Sequence, residues 1–310
     1  MVHPIPKDPL SAILAKTDCP LFTDISSQTG YTGWLSVNAE TKAMLGNPGG
    51  FKTAHPATLR LDRQTCDALG AASIAATPEV AAKRCFFRKD GIAGPGRLEL
   101  NRRSRYAQAD EIPRMAVEAN CLYWASALME GVYAFIDEVL SQTSQKAAAL
   151  HIPRLRFVYA ALAIPVDDVK GPVYLLEERI KGTFVKYIPN NSLLPSLRLE
   201  KEEHEDIALF LCAAQHIQYL QTEGLAIVSD FQGDDTVLTD PQIMTTGDFA
   251  TAFADGNLPR ILAEFKISHQ CNVYCQYFGL EEFQVSSDGT GGESEVNGTG
   301  GESEVNARGG

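Results

Sequence analysis

Two aspartates ten residues apart are the sequence's first chemical suggestion. Asp230 opens the run Asp230-Phe231-Gln232-Gly233, directly after the apolar stretch 225–229, and Asp240 stands in Thr239-Asp240-Pro241-Gln242. A carboxylate leaving the end of a buried strand is held rigidly yet stays solvated. Gln232, two residues on, shares its side if the chain remains extended. An aspartate with an amide oxygen makes a partial shell for Mg²⁺, a hard ion that keeps waters and phosphates in its other positions. Asp240 precedes a proline, which favours an extended backbone. A second carboxylate near the metal can orient a hydroxyl and accept its proton in phosphoryl transfer. Aspartates before Gly or Pro are also ordinary turn residues, so the pair needs partners.

A cation is one such partner. Lys83 lies inside the apolar run Glu79-Val80-Ala81-Ala82-Lys83-Arg84, where an ammonium suits the α- and β-phosphates of a nucleotide. Glu118 on the following helix is the carboxylate expected to hold it. A lysine at a strand end can equally snorkel to water. Gly49-Gly50 lets a backbone approach a phosphate closely.

A third group is soft. In His269-Gln270-Cys271-Asn272-Val273-Tyr274-Cys275, three of seven residues are Cys or His. Cys271 and Cys275, four apart, would share one helix face, and with His269 they fit three corners of a tetrahedral Zn²⁺ site. His204, His216 and Cys212 are candidates for the fourth.

The elements needed to position these groups can be read from the pattern. Residues 111–142 repeat apolar side chains at i, i+3, i+4 and i+7 and predict a helix. Residues 200–223 predict a second, with acids in its first turns and Gly224 as its C-cap. Strands are expected near 34–37, 51–61, 80–87, 155–164, 172–176, 182–187 and 225–229, with Gly46-Asn47-Pro48-Gly49-Gly50 as a turn. This is an α+β chain with two lobes. The chain has 310 residues and a formal charge of −12, which argues against a nucleic-acid partner. No apolar run is long enough to span a membrane, and no signal peptide opens the sequence, so a cytoplasmic or nuclear location is expected. Seven cysteines without a pairing pattern suit a reducing compartment. The nine-residue unit GTGGESEVN stands at 289–297 and again at 298–306, so 285–310 reads as a disordered acidic tail.

Taken in order, these pieces resemble the alpha-kinases, atypical serine/threonine protein kinases that include the elongation factor 2 and myosin heavy chain kinases. The closest stretches are LEERIKGTFVKY at 176–187, IVSDFQGDDTVLTDPQI at 227–243 and DGNLPRILAEFKISHQCNVYCQYFGL at 255–280. The resemblance implies a two-lobed kinase domain over 46–284, with lobes of about 46–175 and 180–284, preceded by a 1–45 extension. It implies Mg-ATP as phosphoryl donor and a protein Ser or Thr as acceptor. By the same resemblance, Lys83 contacts nucleotide phosphates beside Glu118, and Gly49, Gly50 and Lys52 lie over the nucleotide. Glu177 lies where the lobes join, at the adenine edge. Asp230 and Gln232 hold Mg²⁺, and Asp240 is the catalytic aspartate. His216, fourteen residues before Asp230, completes a structural zinc set with His269, Cys271 and Cys275.

Two departures touch substrate engagement. Pro259-Arg260 replace an expected glycine, and Asp234 and Asp235 follow DFQG where an apolar residue is usual. A weakly active or inactive zinc-stabilised, nucleotide-binding scaffold is therefore the alternative to a working kinase.

Overall fold

The computed structural model describes residues 1–15, 29–47, 49–89, 102–142, 150–168, 170–253 and 256–284. The repeat tail expected at 285–310 lies outside them.

Six antiparallel strands form the larger sheet, in the spatial order Val2–Pro4, Ala160–Ala163, Tyr174–Glu178, Glu79–Cys85, Lys52–Leu61, Gly33–Val37. Alternation sets its faces. Along Lys52–Leu61, Thr53, His55, Ala57 and Leu59 are buried while their neighbours are more exposed. Val2 and Tyr31 exchange backbone hydrogen bonds of 2.7 and 2.8 Å, so the first strand meets the chain just before Gly33–Val37 and the sheet curls back on itself. Val2, Ala57, Leu59, Ile74, Val80, Ala82 and Leu176 pack together on its concealed side. Residues 1–45, expected as an extension, thus supply both outer strands of this sheet.

The predicted helices form as Gln108–Gln142 and Glu202–Gln221. The first is buried or half-buried on every side over 115–129, where it packs against the second helix and strands from several sheets. The second ends in a Schellman turn, Gly224 N–H to Tyr219 O at 2.8 Å and Glu223 N–H to Leu220 O at 3.1 Å. Glu223 takes the left-handed conformation there, φ 52°, before Gly224.

A four-stranded sheet runs Val185–Lys186, Gln232–Gly233, Val237–Thr239, Arg156–Phe157, beside the antiparallel pair Ala226–Ser229 and Gln242–Thr245. Asp230 and Asp240 leave this scaffold on either side of the short hairpin 232–239.

Candidate active site and His-Cys cluster

One cavity of about 960 Å³ gathers the expected groups. Gly49, Gly50, Lys52, Lys83, Glu118, Glu177, Asp230, Gln232 and Asp240 all line it. The larger sheet forms one wall, the long helix another, and the 230–240 hairpin the floor.

The wall is built by sheet register. Ala54 faces Lys83 and Ala81 faces Glu177 across the ladder, while Lys52 faces Cys85 and Leu175 faces Lys83. Lys52, Lys83 and Glu177 are therefore diagonal neighbours on one face of three adjacent strands. Lys83 Nζ lies 2.7 Å from Glu177 Oε2 and donates to Thr239 Oγ1 at 2.9 Å; the Thr239 hydroxyl in turn donates to Glu177. The expected Lys83–Glu118 pair does not form. Glu118 on the helix takes Lys52 instead. The reason is geometric: Glu177 is already beside Lys83 in the sheet. Glu177 accordingly holds a lysine through its carboxylate, and its other oxygen is buried without a hydrogen-bond partner.

Asp240 stands between the two lysines, with Oδ1 2.9 Å from Lys52 Nζ and Oδ2 3.1 Å from Lys83 Nζ. Burial would raise its pKa, but the two ammonium groups outweigh it and hold the carboxyl well below the usual carboxylate range. Lys52 is held charged well above its ordinary value, because Asp240 and Glu118 overcome its own desolvation. Asp230 behaves oppositely. Burial raises its pKa above the ordinary value despite Lys186, whose Nζ lies 2.6 Å from Oδ1. Gln232 lies between the aspartates, its amide donating to Asp230 Oδ2 at 3.2 Å and to the Asp240 carbonyl at 3.4 Å.

Neither aspartate has the extended backbone that the sequence suggested. Asp230 has φ 58° and Asp240 φ 51°, and with Glu223 they are the non-glycine residues at positive φ among those described. Aspartate tolerates this region better than most residues. Strained backbone at a cluster of charges marks a site whose surroundings over-determine its geometry.

Lys186 and Thr239 were not assigned roles from sequence. Lys186 is exposed enough to read as an ordinary surface lysine beside the buried Tyr187. Only the ladder Lys186–Gln232 brings it to Asp230.

The second cluster also assembles. Donor atoms of His216, His269, Cys271 and Cys275 all lie within 4.8 Å of one another. Cys271 Sγ is 3.8 Å from His216 Nδ1, and Cys275 Sγ is 3.6 Å from His269 Nε2. The two cysteines do not share a helix face, however. The helix is Val273–Tyr277, capped by Asn272, so Cys271 precedes it. The cap turns the chain so that both sulfurs still converge. Among the other candidates, His204 stacks edge-on against Tyr187 and Cys212 donates to the Leu193 carbonyl at 3.4 Å. Burial pushes both imidazoles down to about 4, with His216 adding to the effect at His269, and pushes the Cys275 thiol up to about 11. Neutral imidazoles are ready ligands, and a thiol buried this way ionises only beside a cation.

The alpha-kinase family model matches residues 114–275. The chain belongs to the alpha-kinase family. Among its relatives, alpha-protein kinase 2 of Danio rerio is 36% identical over 121 residues, 39% of this chain and 6% of that one. Eukaryotic elongation factor 2 kinase of Rattus norvegicus is 36% identical over 125 residues, 40% of this chain and 16% of that one. This family member thus matches only a small part of the length of those relatives. A solved structure of the inactive alpha-kinase domain of myosin heavy chain kinase A with ATP aligns at a TM-score of 0.49 and 16% identity, covering 80% of this chain and 90% of that one. The match to the same domain with AMP has a TM-score of 0.46 and 17% identity, covering 80% and 90%. Among the described residues, no helix is long and apolar enough to cross a membrane.

Proposed function

We propose that this alpha-kinase family member transfers the γ-phosphoryl group of Mg-ATP to a serine or threonine hydroxyl of a protein. The observation that carries this reading is the meeting of Lys52, Lys83, Asp230, Gln232 and Asp240 on one cavity large enough for a nucleotide. Phosphoryl transfer needs mainly position and charge neutralisation from the protein. Lys52 and Lys83 supply cations for the phosphates, and Gly49-Gly50 offer close backbone approach above them.

The two aspartates divide the remaining work, and their environments favour an exchange of the roles expected from the sequence. A proton acceptor works best when its pKa is not far below the working pH. Asp240, held ionised by two ammonium groups, suits the permanent negative charge that a hard cation requires. Asp230, with its raised pKa, suits the proton of the acceptor hydroxyl. Gln232 lies against both and would share the cation with Asp240. Mg²⁺, when bound there, would neutralise phosphate charge.

The His-Cys cluster suits Zn²⁺: two thiols and two neutral imidazoles within 4.8 Å of one another, the four ligands a closed site would need. Its role would be structural, tying the second long helix to the 269–275 turn.

Incubation of the purified chain with γ-labelled ATP and a Ser/Thr peptide library tests the main reading. Label transfer that vanishes in Lys83→Ala and Asp230→Ala supports it. Nucleotide binding without transfer would leave a scaffold, and transfer surviving both substitutions would remove the assignment.

A further inference from the structure

Asp234, the first of the two acids after DFQG, holds a place in the structure that leads further. Asp234 is buried, at 8% exposure. Its Oδ1 accepts from Val237 N–H at 2.7 Å, Thr236 N–H at 2.9 Å and Thr236 Oγ1 at 3.0 Å. This closes the hairpin turn between the two site aspartates. Its Oδ2 faces away, toward another segment, and accepts from Gly182 N–H at 3.3 Å. The Tyr187 hydroxyl donates to the Asp234 carbonyl at 3.1 Å.

Two glycines shape this contact. Gly233 sits at φ 156°, and a Cβ there would meet Val237 O at 2.0 Å, so the hairpin closes only without a side chain. A Cβ on Gly182 would lie 2.7 Å from Asp234 Cβ and Oδ2. The approach of 182 to 234 therefore also depends on glycine.

The segment 178–184 matters because Glu178, Arg179, Ile180 and Phe184 line the cavity. Its ladder to the hairpin is only two residues long, Val185–Gly233 and Lys186–Gln232. At the segment's other end Glu178 reaches the hairpin indirectly, through Arg156, which pairs with Val237. Between those two ends, among the described residues, the Asp234–Gly182 bond joins the segment directly to the aspartate-bearing hairpin.

We propose that Asp234 is a positioning residue that couples the 178–184 wall of the cavity to the Asp230–Asp240 hairpin, so that nucleotide and divalent cation bind cooperatively. The inference rests on the kinase reading for its ligands. A loose wall would let nucleotide settle without fixing the hairpin, and the cation would gain less from its presence.

Asp234→Asn separates the two jobs of the carboxylate. One oxygen remains for Thr236 and Val237, so the turn survives, but an NH₂ now meets the Gly182 N–H. Gly182→Ala opens the same contact from the other side. In the full chain, affinity for a fluorescent ATP analogue would be measured with and without Mg²⁺. The enhancement by Mg²⁺ should fall by about 5-fold or more in both variants. Amide hydrogen exchange over 179–186 in the ligand-free protein should quicken in both. Asp234→Ala, which also loses the turn, should in addition lower the melting temperature. Wild-type enhancement and exchange in Asp234→Asn and Gly182→Ala would overturn the proposal, even if Asp234→Ala melted early. A wild-type chain that binds no nucleotide under either condition would end the kinase reading and the cooperative claim together, and unchanged exchange would then remove the clamp as well.

Discussion

Sheet register brings Lys83 and Glu177 within 2.7 Å of each other. They lie on neighbouring antiparallel strands, offset by one diagonal step on the same face. The pair is almost fully buried, with side-chain exposures of 8% and 2%. Thr239 from the floor hairpin bonds to both, which ties the sheet to the loop bearing Asp240.

Breaking such a pair from one side strands the other charge. Lys83→Met should cost about 3 kcal/mol or more, because the Glu177 carboxylate is left buried. Lys83→Met/Glu177→Gln should recover part of that loss in urea denaturation, since the stranded charge is gone. Lys83→Met/Glu118→Gln should recover none, because Glu118 belongs to Lys52. Recovery in the second double variant and not the first would refute the pairing.

That pairing also marks where sequence reading stopped. The helices at 111–142 and 200–223 were legible because their apolar periodicity spans many turns. The strand carrying Lys83 and the aspartates around the DFQG run were legible because apolar runs and turn residues are local signals. Register is not local. Nothing in Glu79-Val80-Ala81-Ala82-Lys83 says that Ala81 will face Glu177, so the sequence points to Glu118 on the following helix instead. The same limit applied to the backbone of Asp230 and Asp240, whose positive φ values of 58° and 51° no local residue pattern announces. It applied again to Cys271, which Asn272 places outside the helix by a cap that the four-residue spacing does not reveal. Asp234 was visible as an acid in an unusual place, but its partner Gly182 lies 52 residues away.

Asp240 should make folding acid-sensitive. Its folded pKa is depressed, so its contribution is fully present above the ordinary aspartate value of about 4 and is lost as pH falls toward the folded value. Thermal melts of the wild type should therefore drop steeply below about pH 4. Asp240→Asn should be less stable near neutrality and should lose less on acidification. Parallel curves for the two proteins would contradict the linkage.

Asp230 predicts the opposite displacement in kinetics. Its pKa is raised by burial, so the acid limb of kcat/KM should fall at a pH above the ordinary aspartate value. Asp230→Asn should abolish turnover with little change in nucleotide affinity, because a proton acceptor contributes to the chemical step. Asp240→Asn should weaken Mg²⁺-dependent nucleotide binding. The reverse pattern, with binding lost at Asp230 and only turnover lost at Asp240, would restore the roles first expected from the sequence.

The His-Cys cluster predicts a metal-dependent fold. Metal analysis should find zinc near one equivalent, bound by His216, His269, Cys271 and Cys275. A strong chelator should lower the melting temperature, and zinc added back should restore it, because a closed structural site contributes its binding free energy to folding. The loss should be cooperative, since Cys275, Tyr274 and Phe278 belong to the same large core as the second long helix. Cys275→Ser should melt at the chelated protein's temperature and show no further response to chelator. Cys212→Ser is the control for thiol loss in general: Cys212 is buried nearby but donates to the Leu193 carbonyl, so the zinc content should stay intact. A chelator that leaves the wild-type melt unmoved, with no zinc found, would show that these four side chains meet for packing alone.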